Sequence, residues 1–516
     1  MTGHNSAKEL VTHAALSSVG GLFSSRADVA GSHPAVVDGE RSYSYAQLDI
    51  RTNQLANALL KQGLKPGDRL GVLLHNCLEY IEIELAAAKA GIIVAALNWR
   101  LARPELQHCV GLVEPKMLVT GHGLHESLNG LAIDLPPVLG LGTEYEKFLA
   151  GGSEVFDETP PHPEQGLVIL YTSGTTGMPK GALISHRAII ARGACFYNDL
   201  GLRADTNFIA WAPMFHMAST DHSLATLLRG GTVYLVDGYQ PDQLMDLIET
   251  VAIGWFVVMP GMVGDLAEKC RSRNIRPKGI TCCGAMADLV PRHELEAITR
   301  VLNTPYLNSF GATETGLPPA TANTRAFGQD FSDLAKQQSS LCEIRLVDDQ
   351  DRPVPPGQPG EIAIRGPTLF SGYWNAPKTN AQDFRGGWFH MGDVMRRNAD
   401  GTLSYVDRVK YMIKSGGENI YPAEIEQVLV RHDDVLEAVI VRKKDKKWGE
   451  VPAAFIVASS AKPEQEEQLR ALCRDNLASY KHPQVFHFIE EEQLPRSTTG
   501  KIQRHVIEQD LLTTLS

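Results

Sequence analysis

The chain has 516 residues, which is enough for several domains, and its 43% hydrophobic content allows large buried cores. Its 49 lysines and arginines against 60 aspartates and glutamates give a net charge of −11, which argues against a nucleic-acid partner, because phosphate contacts need clustered positive side chains. No segment approaches the roughly 18 apolar residues of a membrane span, and the best candidate, residues 86–97, carries Lys89.

The start of the chain and its cysteines bear on location. The first residues, MTGHNSAKELVTHAALSS, lack a basic leader followed by an apolar core, so they do not resemble a secretory signal. We therefore expect a cytoplasmic protein. The eight cysteines show no CxxC spacing, which argues against structural zinc and against a disulfide framework. Reduced, buried thiols are expected instead.

Short apolar runs alternate with amphipathic helical patterns such as PDQLMDLIETV, residues 241–251. This alternation predicts parallel sheets with helices on both faces, in which ligands bind beyond the carboxyl ends of the strands. The runs that predict buried strands are GLVILYT (166–172), FIAWAP (208–213), TVYLV (232–236), WFVVMP (255–260) and GITCCG (279–284).

A glycine-rich stretch, YTSGTTGMPKG (171–181), continues directly from the first of these strands. Its glycines, including Gly174 and Gly177, let the backbone approach a ligand, and Lys180 adds a positive charge for phosphate. The strand before it and a helix after it, SHRAIIARGACF, favour a positioned anion site over a flexible surface loop. It is not a P-loop, because no Ser or Thr follows the lysine. The hydroxyl groups come from Thr172, Ser173, Thr175 and Thr176.

The pattern changes from about Arg345, where short strands are broken by proline and glycine. This predicts antiparallel hairpins in a small β subdomain. Further on, Pro422 opens a helix, which is followed by apolar strands at 437–443 and 453–459. We place a domain boundary near Lys410, which divides the chain into residues 1–409 and a small domain of residues 410–516.

Five motifs follow one another along the chain: YTSGTTGMPKG (171–181), NSFGATETG (308–316), GWFHMGDV (387–394), YVDRVKYMIKSGGENIYPAEIE (405–426) and LPRSTTGKIQR (494–504). Their set and order resemble the ANL superfamily of adenylate-forming enzymes, which includes acyl- and aryl-CoA synthetases, adenylation domains and firefly-type luciferases. The resemblance runs from about Ser42 to the C-terminus. It implies an α/β fold with a large N-terminal domain, made of two doubly wound α/β subdomains plus a small β-barrel-like subdomain, and a small mobile α+β C-terminal domain.

The resemblance implies how the chain binds the phosphates of ATP and Mg2+. Residues 171–181 correspond to the phosphate loop, which holds the β and γ phosphates. Glu314 corresponds to the Mg2+ ligand, and its carboxylate is the hard oxygen donor that this ion prefers. Thr313 corresponds to a hydroxyl on the α-phosphate. Phe310, where many relatives have tyrosine, corresponds to the ring that packs on adenine.

The resemblance also implies the remaining nucleotide contacts. Gly284 and Ala285 correspond to a loop that passes beside the adenine. Asp393 corresponds to the carboxylate that accepts hydrogen bonds from both ribose hydroxyls, and Arg408 to a second ribose contact. Without the family context, a Gly-Asp pair indicates a turn and an exposed arginine is usually solvated.

The C-terminal motifs imply catalysis and movement. Lys501 corresponds to the lysine that reaches the carboxylate and the α-phosphate during adenylation, and Lys410 to the hinge about which the small domain rotates between the two half-reactions. Gly416 and Gly417 would then leave room for the pantetheine arm of CoA. Trp448, within the basic run 442–450, is a candidate CoA contact, although a solvated turn is the alternative.

A further segment, WAPMFHMAS (211–219), resembles the family's entrance to the acyl site, with His216 as its guard. Cys195, Met217, Met259 and Ser309 are candidate wall residues of the pocket, and their apolar character predicts an apolar acyl tail. These residues do not decide between a medium fatty chain, a benzoate, a cinnamate and a small dicarboxylate.

The sequence therefore predicts an ATP-dependent acid:CoA ligase, which forms acyl-AMP with release of pyrophosphate and then a CoA thioester. ATP, Mg2+ and CoA are the expected small-molecule partners of a carboxylic acid substrate. One alternative passes the acyl group to a carrier protein, and another is a non-catalytic paralogue that binds nucleotide. The sequence leaves the oligomeric state open, with a homodimer as one expectation.

Overall fold

The computed structural model describes residues 11, 14–172, 178–259, 261–287, 290–328, 331, 334–416, 418–458, 465–496 and 502–511. These residues divide into two compact units. Unit one comprises residues 1–343 and 365–387, and unit two comprises residues 344–364 and 388–516. Unit two includes residues that precede Lys410, and the domain boundary at that lysine stays a prediction.

Unit one consists of short strands and helices that alternate along the chain. Its strands are β1 (Pro34–Asp38), β2 (Arg41–Ser44), β3 (Arg69–Leu73), β4 (Ile93–Ala96), β5 (Met117–Thr120), β6 (Val138–Gly140), β7 (Gly166–Thr172), β8 (Lys180–Ser185), β9 (Asn207–Ala210), β10 (Val233–Leu235), β11 (Ile253–Val257), β12 (Ile280–Ala285), β13 (Tyr306–Asn308), β14 (Gly311–Ala312), β15 (Gly316–Pro319) and β16 (Thr324–Arg325). Its helices are α1 (Val19–Ala30), α2 (Tyr45–Lys61), α3 (Leu78–Ala90), α4 (Arg103–Val113), α5 (Thr143–Ala150), α6 (His186–Leu200), α7 (Met217–Arg229), α8 (Pro241–Thr250), α9 (Val263–Ser272), α10 (Arg292–Leu302) and α11 (Pro377–Asp383).

Two large sheets organise unit one. The six-stranded sheet has the order β6-β5-β3-β4-β7-β8 and is parallel except for β8 at its edge. The eight-stranded sheet has the order β16-β13-β12-β11-β9-β10-β1-β2, with antiparallel strands only at its two edges. The five predicted strands correspond to β7, β9, β10, β11 and β12, and the α/β prediction is confirmed.

The ends of the helices follow local sequence signals. Ser44 accepts a hydrogen bond from the backbone of Gln47 and the Gln47 side chain returns one, which forms a capping box at the start of α2. Ser185 caps α6 with one hydrogen bond, which its hydroxyl accepts from the backbone N–H of Ala188. Helix α3 is buried along its whole length and carries Glu82 and Glu84 into the interior. Burying these carboxyl groups is costly unless they are paired or neutral.

Unit two contains two antiparallel-rich sheets. Its strands are β17 (Glu343–Val347), whose first residue belongs to unit one, β18 (Pro359–Arg365), which ends at a residue of unit one, β19 (Phe389–Arg397), β20 (Leu403–Arg408), β21 (Ile413–Ser415), β22 (Glu418–Ile420), β23 (Val435–Asp445), β24 (Gly449–Ala458) and β25 (Val485–Phe488). Its helices are α12 (Pro422–Leu429), α13 (Gln465–Asn476) and α14 (Arg504–Val506).

Strands β17 to β20 form a four-stranded sheet in chain order, and β21 to β25 form a five-stranded one. The predicted helix at Pro422 is confirmed, and its Ile425 and Leu429 pack in one cluster with Ile440 and Ile456 of the second sheet.

All eight cysteines are free, and seven of them are buried. In the part of the chain that the structure describes, no helix combines the length and the apolar character that a membrane crossing requires.

Candidate active site

Several predicted residues of unit one lie at the carboxyl ends of neighbouring parallel strands. Met259 follows β11, Gly284 and Ala285 end β12, and Ser309 follows β13. The backbone N–H of Ser309 donates to the carbonyl of Ala285 at 3.1 Å. A Cβ atom on Gly284 would lie 2.1 Å from the carbonyl oxygen of Leu307, so only glycine allows β12 and β13 this close. The structure thus brings the predicted adenine loop beside Ser309, a predicted wall residue of the acyl pocket.

The glycine-rich stretch joins two antiparallel strands. Strand β7 ends at Thr172, strand β8 begins at Lys180, and these two residues are opposite each other in the sheet. The predicted helix SHRAIIARGACF is confirmed as α6, which begins at His186 after β8. The two strands β7 and β8, and not a helix N-terminus, therefore flank the predicted anion site. Ser173, Gly174, Thr175, Thr176 and Gly177 lie outside the described residues.

The predicted Mg2+ ligand lies at the tip of the short β14–β15 hairpin. Thr315 fixes the turn, because its hydroxyl accepts from the N–H of Ala312 at 3.0 Å and donates to the carbonyl of Gly316 at 2.9 Å. Gly316 has a φ of +74°, which favours glycine. Thr313 and Glu314 occupy the turn and are both partly exposed. The ring of Phe310, just before the hairpin, is buried.

A tyrosine that the sequence interpretation did not single out, Tyr373, contacts both the predicted phosphate lysine and the predicted Mg2+ ligand. The Tyr373 hydroxyl donates to Oε1 of Glu314 at 2.7 Å. The Lys180 Nζ lies 4.8 Å from the centroid of the same tyrosine ring, a cation–π distance. Lys180 and Glu314 therefore contact the same side chain, that of Tyr373. The only sequence signal for it is an aromatic residue after Gly372.

Arg192 is a second residue that the sequence interpretation missed. Its guanidinium is buried, pairs with Asp221 at 3.0 Å and donates to the carbonyls of Thr368 at 2.8 Å and Thr313 at 3.1 Å. Burial lowers the pKa of Arg192 and raises that of Asp221. The pair thus holds the backbone of the turn that carries Glu314.

His216 precedes α7 and caps it, since its Nδ1 accepts from the backbone N–H of Ala218 at 3.2 Å. The imidazole is exposed, whereas Met217 beside it is buried. The Thr220 hydroxyl, in the first turn of α7, lies 3.2 Å from the Glu84 carboxylate of α3. The Glu84 carboxyl group, which can titrate, therefore contacts the helix that follows His216, the predicted guard of the acyl entrance.

Replacing Glu84 by glutamine is expected to change the pH dependence of stability. Burial raises the pKa of Glu84 from 4.5 to about 8. The stability associated with its neutral form is fully present below about pH 4.5 and is lost as the pH rises towards 8. The Glu84→Gln protein should therefore become more stable than the wild type over this window, by on the order of a few kcal/mol. Urea unfolding between pH 4 and pH 9 measures the difference.

Glu79 on the same helix is the matched control. Burial is the largest single effect and acts to raise the pKa of Glu79, but the hydrogen bond from Arg41, at 2.5 Å, a backbone hydrogen bond and the positive charge of Arg41 together outweigh it, so the pKa is lowered. Its contribution is present above the unfolded pKa and is lost as the pH falls, so Glu79→Gln should be less stable than the wild type at neutral pH and match it in acid. A constant difference at Glu84 across the pH range would contradict the burial argument.

The candidate acyl-pocket residues do not all share one set of neighbours. The Cys195 thiol, on α6, lies 3.5 Å from the Asp199 carboxylate and 3.8 Å from the Ser340 hydroxyl. The next residue, Phe196, packs edge-on against Trp255 at 5.5 Å and against His222 at 4.8 Å between ring centroids. Burial lowers the pKa of His222 to about 3, so its imidazole is neutral at pH 7. The surroundings of α6 are thus rich in buried rings.

In unit two the structure brings together the two predicted ribose residues. Asp393 and Arg408 are opposite each other on β19 and β20, and the Arg408 Nε lies 2.7 Å from the Asp393 Oδ1. The aspartate is buried, whereas 42% of the arginine side chain is exposed. Pairing with the guanidinium favours the ionised carboxylate, the form that accepts hydrogen bonds from hydroxyl groups.

Lys410 lies in the 3-10 turn Val409–Tyr411 and is exposed. Its backbone carbonyl accepts a hydrogen bond from the Arg442 guanidinium, which also pairs with Glu508 at 2.9 Å. The hinge assignment stays a prediction. The contacts of Arg442 connect the turn that contains Lys410 to Glu508, which is also in unit two. Gly417 and Lys501 lie outside the described residues.

Gly416 and Trp448 are also brought together within unit two. The N–H of Gly416 donates to the carbonyl of Trp448 at 2.9 Å, and a Cβ atom on Gly416 would lie 2.7 Å from the indole ring. Trp448 as a whole remains 45% exposed, and the Lys447 Nζ lies 4.5 Å from the centroid of its ring. An exposed ring beside a glycine backbone and a lysine fits a contact with a thin, phosphate-bearing ligand.

Replacing Trp448 by alanine is expected to raise the KM for CoA by about fivefold, because a packed aromatic contact is lost. Adenylation should be unchanged, since CoA enters only in the second step. Steady-state thioester formation and pyrophosphate release without CoA measure the two steps separately. Trp448→Phe keeps a ring and is the control; an unchanged KM for CoA in Trp448→Ala would remove this contact from the site.

The chain matches the AMP-binding enzyme family over residues 23–374 and the AMP-binding enzyme C-terminal domain over residues 424–501. It is 33% identical over 478 residues to a feruloyl-CoA synthase from Amycolatopsis sp, covering 91% of this chain and 94% of that protein. It is 32% identical over 482 residues to an indoleacetate–CoA ligase from Aromatoleum aromaticum, covering 91% and 93%. The solved o-succinylbenzoate CoA synthetase from Bacillus subtilis, in complex with its acyl-adenylate intermediate, matches with a TM-score of 0.81 and 25% identity, covering 95% of this chain and 98% of that chain.

The fold and these similarities define an adenylate-forming α/β enzyme of the acyl- and aryl-CoA synthetase class. The chain belongs to the AMP-binding enzyme family. The predictions of an ANL-type fold and of an AMP-forming acid:CoA ligase that uses ATP, Mg2+ and CoA are confirmed. The roles of individual residues stay predictions.

Proposed function

We propose that this ligase activates an aromatic carboxylic acid, in which a ring is joined to the carboxylate directly or by a short linker. The observation that carries the proposal is the buried cluster of Phe196, His222 and Trp255, in which Phe196 is the residue of α6 that follows Cys195, a predicted pocket wall. Rings in such clusters favour edge-to-face contacts with another flat ring. The feruloyl and indoleacetate relatives, which are named for aromatic acids, support the same class.

The reaction divides into two balanced steps. In the first, a carboxylate oxygen of the acid attacks the α-phosphorus of ATP, the bond to the bridging oxygen breaks, and pyrophosphate leaves. In the second, the thiol of CoA loses its proton and attacks the acyl carbon, and AMP leaves. We assign the β and γ phosphates to the β7–β8 hairpin with Lys180, the ribose to Asp393 and Arg408, and the attacking carboxylate and the α-phosphate to Lys501.

The residues of the β14–β15 hairpin fit a magnesium ion. Glu314 and Thr313 offer a carboxylate and a hydroxyl, hard oxygen donors, on a turn that is partly exposed. When bound, Mg2+ neutralises phosphate charge and so reduces the repulsion between ATP and an incoming carboxylate. Glu314 would hold the ion, and Thr313 would contact the α-phosphate.

Pyrophosphate release from ATP, measured with matched aromatic and straight-chain acids and with or without CoA, tests the proposal. Multiple turnovers that need both CoA and an aromatic acid are expected. A preference for straight-chain acids would contradict the aromatic class. Release that is indifferent to CoA would favour a carrier protein as the acyl acceptor, and absence of release with every acid would favour the nucleotide-binding paralogue.

The oligomeric state and the cellular location of the protein each have a separate test. The sequence leaves the oligomeric state open with a homodimer as one expectation, and light scattering coupled to gel filtration gives the mass that decides it. A cytoplasmic location is expected because ATP and CoA are both available there, and fractionation of cells that express the chain decides it.

A further inference from the structure

Residues 368–374, here the bridging segment, contact both hairpins that carry the predicted phosphate and Mg2+ residues. Ser371 donates its backbone N–H to the carbonyl of Leu183 at 2.7 Å, and Leu183 donates to the carbonyl of Gly372 at 3.0 Å, which lays the segment beside β8. At its other side, the N–H of Phe370 donates to the carbonyl of Glu314 at 2.9 Å. One short piece of chain therefore ties β8 to the β14–β15 hairpin.

The backbone of Tyr373 within this segment is held at both of its polar groups. Its N–H donates to the Asn380 Oδ1 at 2.7 Å, and its carbonyl accepts from the Asn380 Nδ2 at 2.9 Å. Its residue surface is only 9% exposed. A side chain on such a fixed and buried backbone has little freedom to reorient. Arg192 adds a second tie, because it donates to the segment at Thr368 and to the turn at Thr313.

The hydroxyl and the ring of Tyr373 contact two side chains of opposite charge. Its hydroxyl donates to the Glu314 carboxylate at 2.7 Å, and its ring faces the Lys180 ammonium at 4.8 Å. Within the residues that the structure describes, Lys180 and Glu314 do not form an ion pair with each other. Direct pairing would neutralise the two charges that a phosphate and a cation need, so an intervening ring keeps both available.

We propose that Tyr373 is a positioning residue for the metal–nucleotide complex: its hydroxyl orients the Glu314 carboxylate, and its ring keeps the Lys180 ammonium apart from that carboxylate. This inference rests on the proposed roles of Lys180 and Glu314. Tyr373 contacts the two side chains and acts through them, so the removal of its hydroxyl and the removal of its ring have separable consequences.

Two substitutions separate these consequences. Tyr373→Phe keeps the ring and loses the hydroxyl, so the Mg2+ concentration for half-maximal pyrophosphate release should rise by about tenfold, the scale of a lost hydrogen bond to a charged group. The KM values for the acid and for CoA should not change. Tyr373→Leu also loses the ring, so its KM for ATP should rise by a further factor of about three or more, because Lys180 is free to pair with Glu314.

A binding measurement without turnover provides an independent readout. With α,β-methylene-ATP, which cannot release pyrophosphate, electron paramagnetic resonance follows Mn2+ as it binds to the protein. Tyr373→Phe should weaken Mn2+ binding by about the same tenfold factor. Tyr239→Phe is the matched control, because the Tyr239 hydroxyl also donates to a carboxylate at 2.7 Å, that of Asp265, which is not a predicted Mg2+ ligand. This control should leave both Mn2+ binding and Mg2+ dependence at their wild-type values.

Glu314→Gln distinguishes failure of this inference from failure of the residue roles on which it rests. Weak Mn2+ binding in Glu314→Gln with wild-type binding in Tyr373→Phe would overturn the inference alone. Wild-type Mn2+ binding in Glu314→Gln would overturn the role of Glu314 and the inference with it. Thermal unfolding confirms that each variant is folded, and if Tyr373→Leu does not fold, the hydroxyl deletion in Tyr373→Phe decides the result.

Discussion

Replacing Glu314 by glutamine is expected to slow pyrophosphate release by about 100- to 1,000-fold, the scale of losing one group that stabilises transition-state charge. Glutamine has the shape of glutamate, and its amide oxygen still accepts from the Tyr373 hydroxyl, which lies 2.7 Å from the carboxylate. The hairpin is held by Thr315 and Arg192 and not by the Glu314 side chain. The change therefore removes a negative charge from the site and leaves its framework intact.

Single-turnover pyrophosphate release at saturating acid and ATP measures this loss, and a higher Mg2+ concentration should restore part of it. Glu268→Gln is the control, since Glu268 is an exposed glutamate on α9 that pairs with Arg271. The control should release pyrophosphate at the wild-type rate. A Glu314→Gln protein that stays within threefold of the wild type would show that the cation is held by other groups.

The parts of the fold that were predicted correctly are those with a local signal. Strand β7 matches the apolar run 166–172 residue for residue, because a strand buried in a parallel sheet is apolar on both faces. Strand β8, Lys180–Ser185, was missed. Its six residues, KGALIS, are too short to show a period and run directly into the helix at His186. Only its pairing with β7 makes it a strand, and that pairing is not visible in one short window.

The residues of the candidate site also divide into those that have a local sequence signal and those that have none. Glu314, Asp393 and Lys180 lie within compact motifs, so a resemblance identifies them one by one. Tyr373 contacts a residue 59 positions away, and Arg192 contacts one 176 positions away. Their contribution depends on which carbonyl or carboxylate the fold places in front of them. A tyrosine after a glycine and an arginine in an amphipathic helix have many ordinary explanations, so the sequence does not distinguish them.

Replacing Lys501 by alanine is expected to reduce acyl-adenylate formation by about 100- to 1,000-fold, because the positive charge that offsets the approach of a carboxylate to the α-phosphate is lost. Thioester formation from acyl-AMP that is supplied directly should remain near the wild-type rate, since CoA attacks the acyl carbon in that step and no nucleophile has to approach the α-phosphorus. Rapid-quench measurement of each half-reaction separates the two effects. ATP binding, measured by calorimetry, should also be retained.

Lys378→Ala is the control, because Lys378 is an exposed lysine of α11 and lies outside every predicted contact. Equal loss of both half-reactions in Lys501→Ala would indicate a damaged fold, and full retention of adenylation would refute the assignment.

A stricter test of the role of Lys501 uses the reverse reaction. A side chain that acts only in the transition state cannot change the equilibrium between ATP with acid and acyl-AMP with pyrophosphate. The synthesis of ATP from acyl-AMP and pyrophosphate must therefore slow by the same factor as adenylation, whereas a defect in ATP binding alone would slow the two directions unequally at saturating substrate.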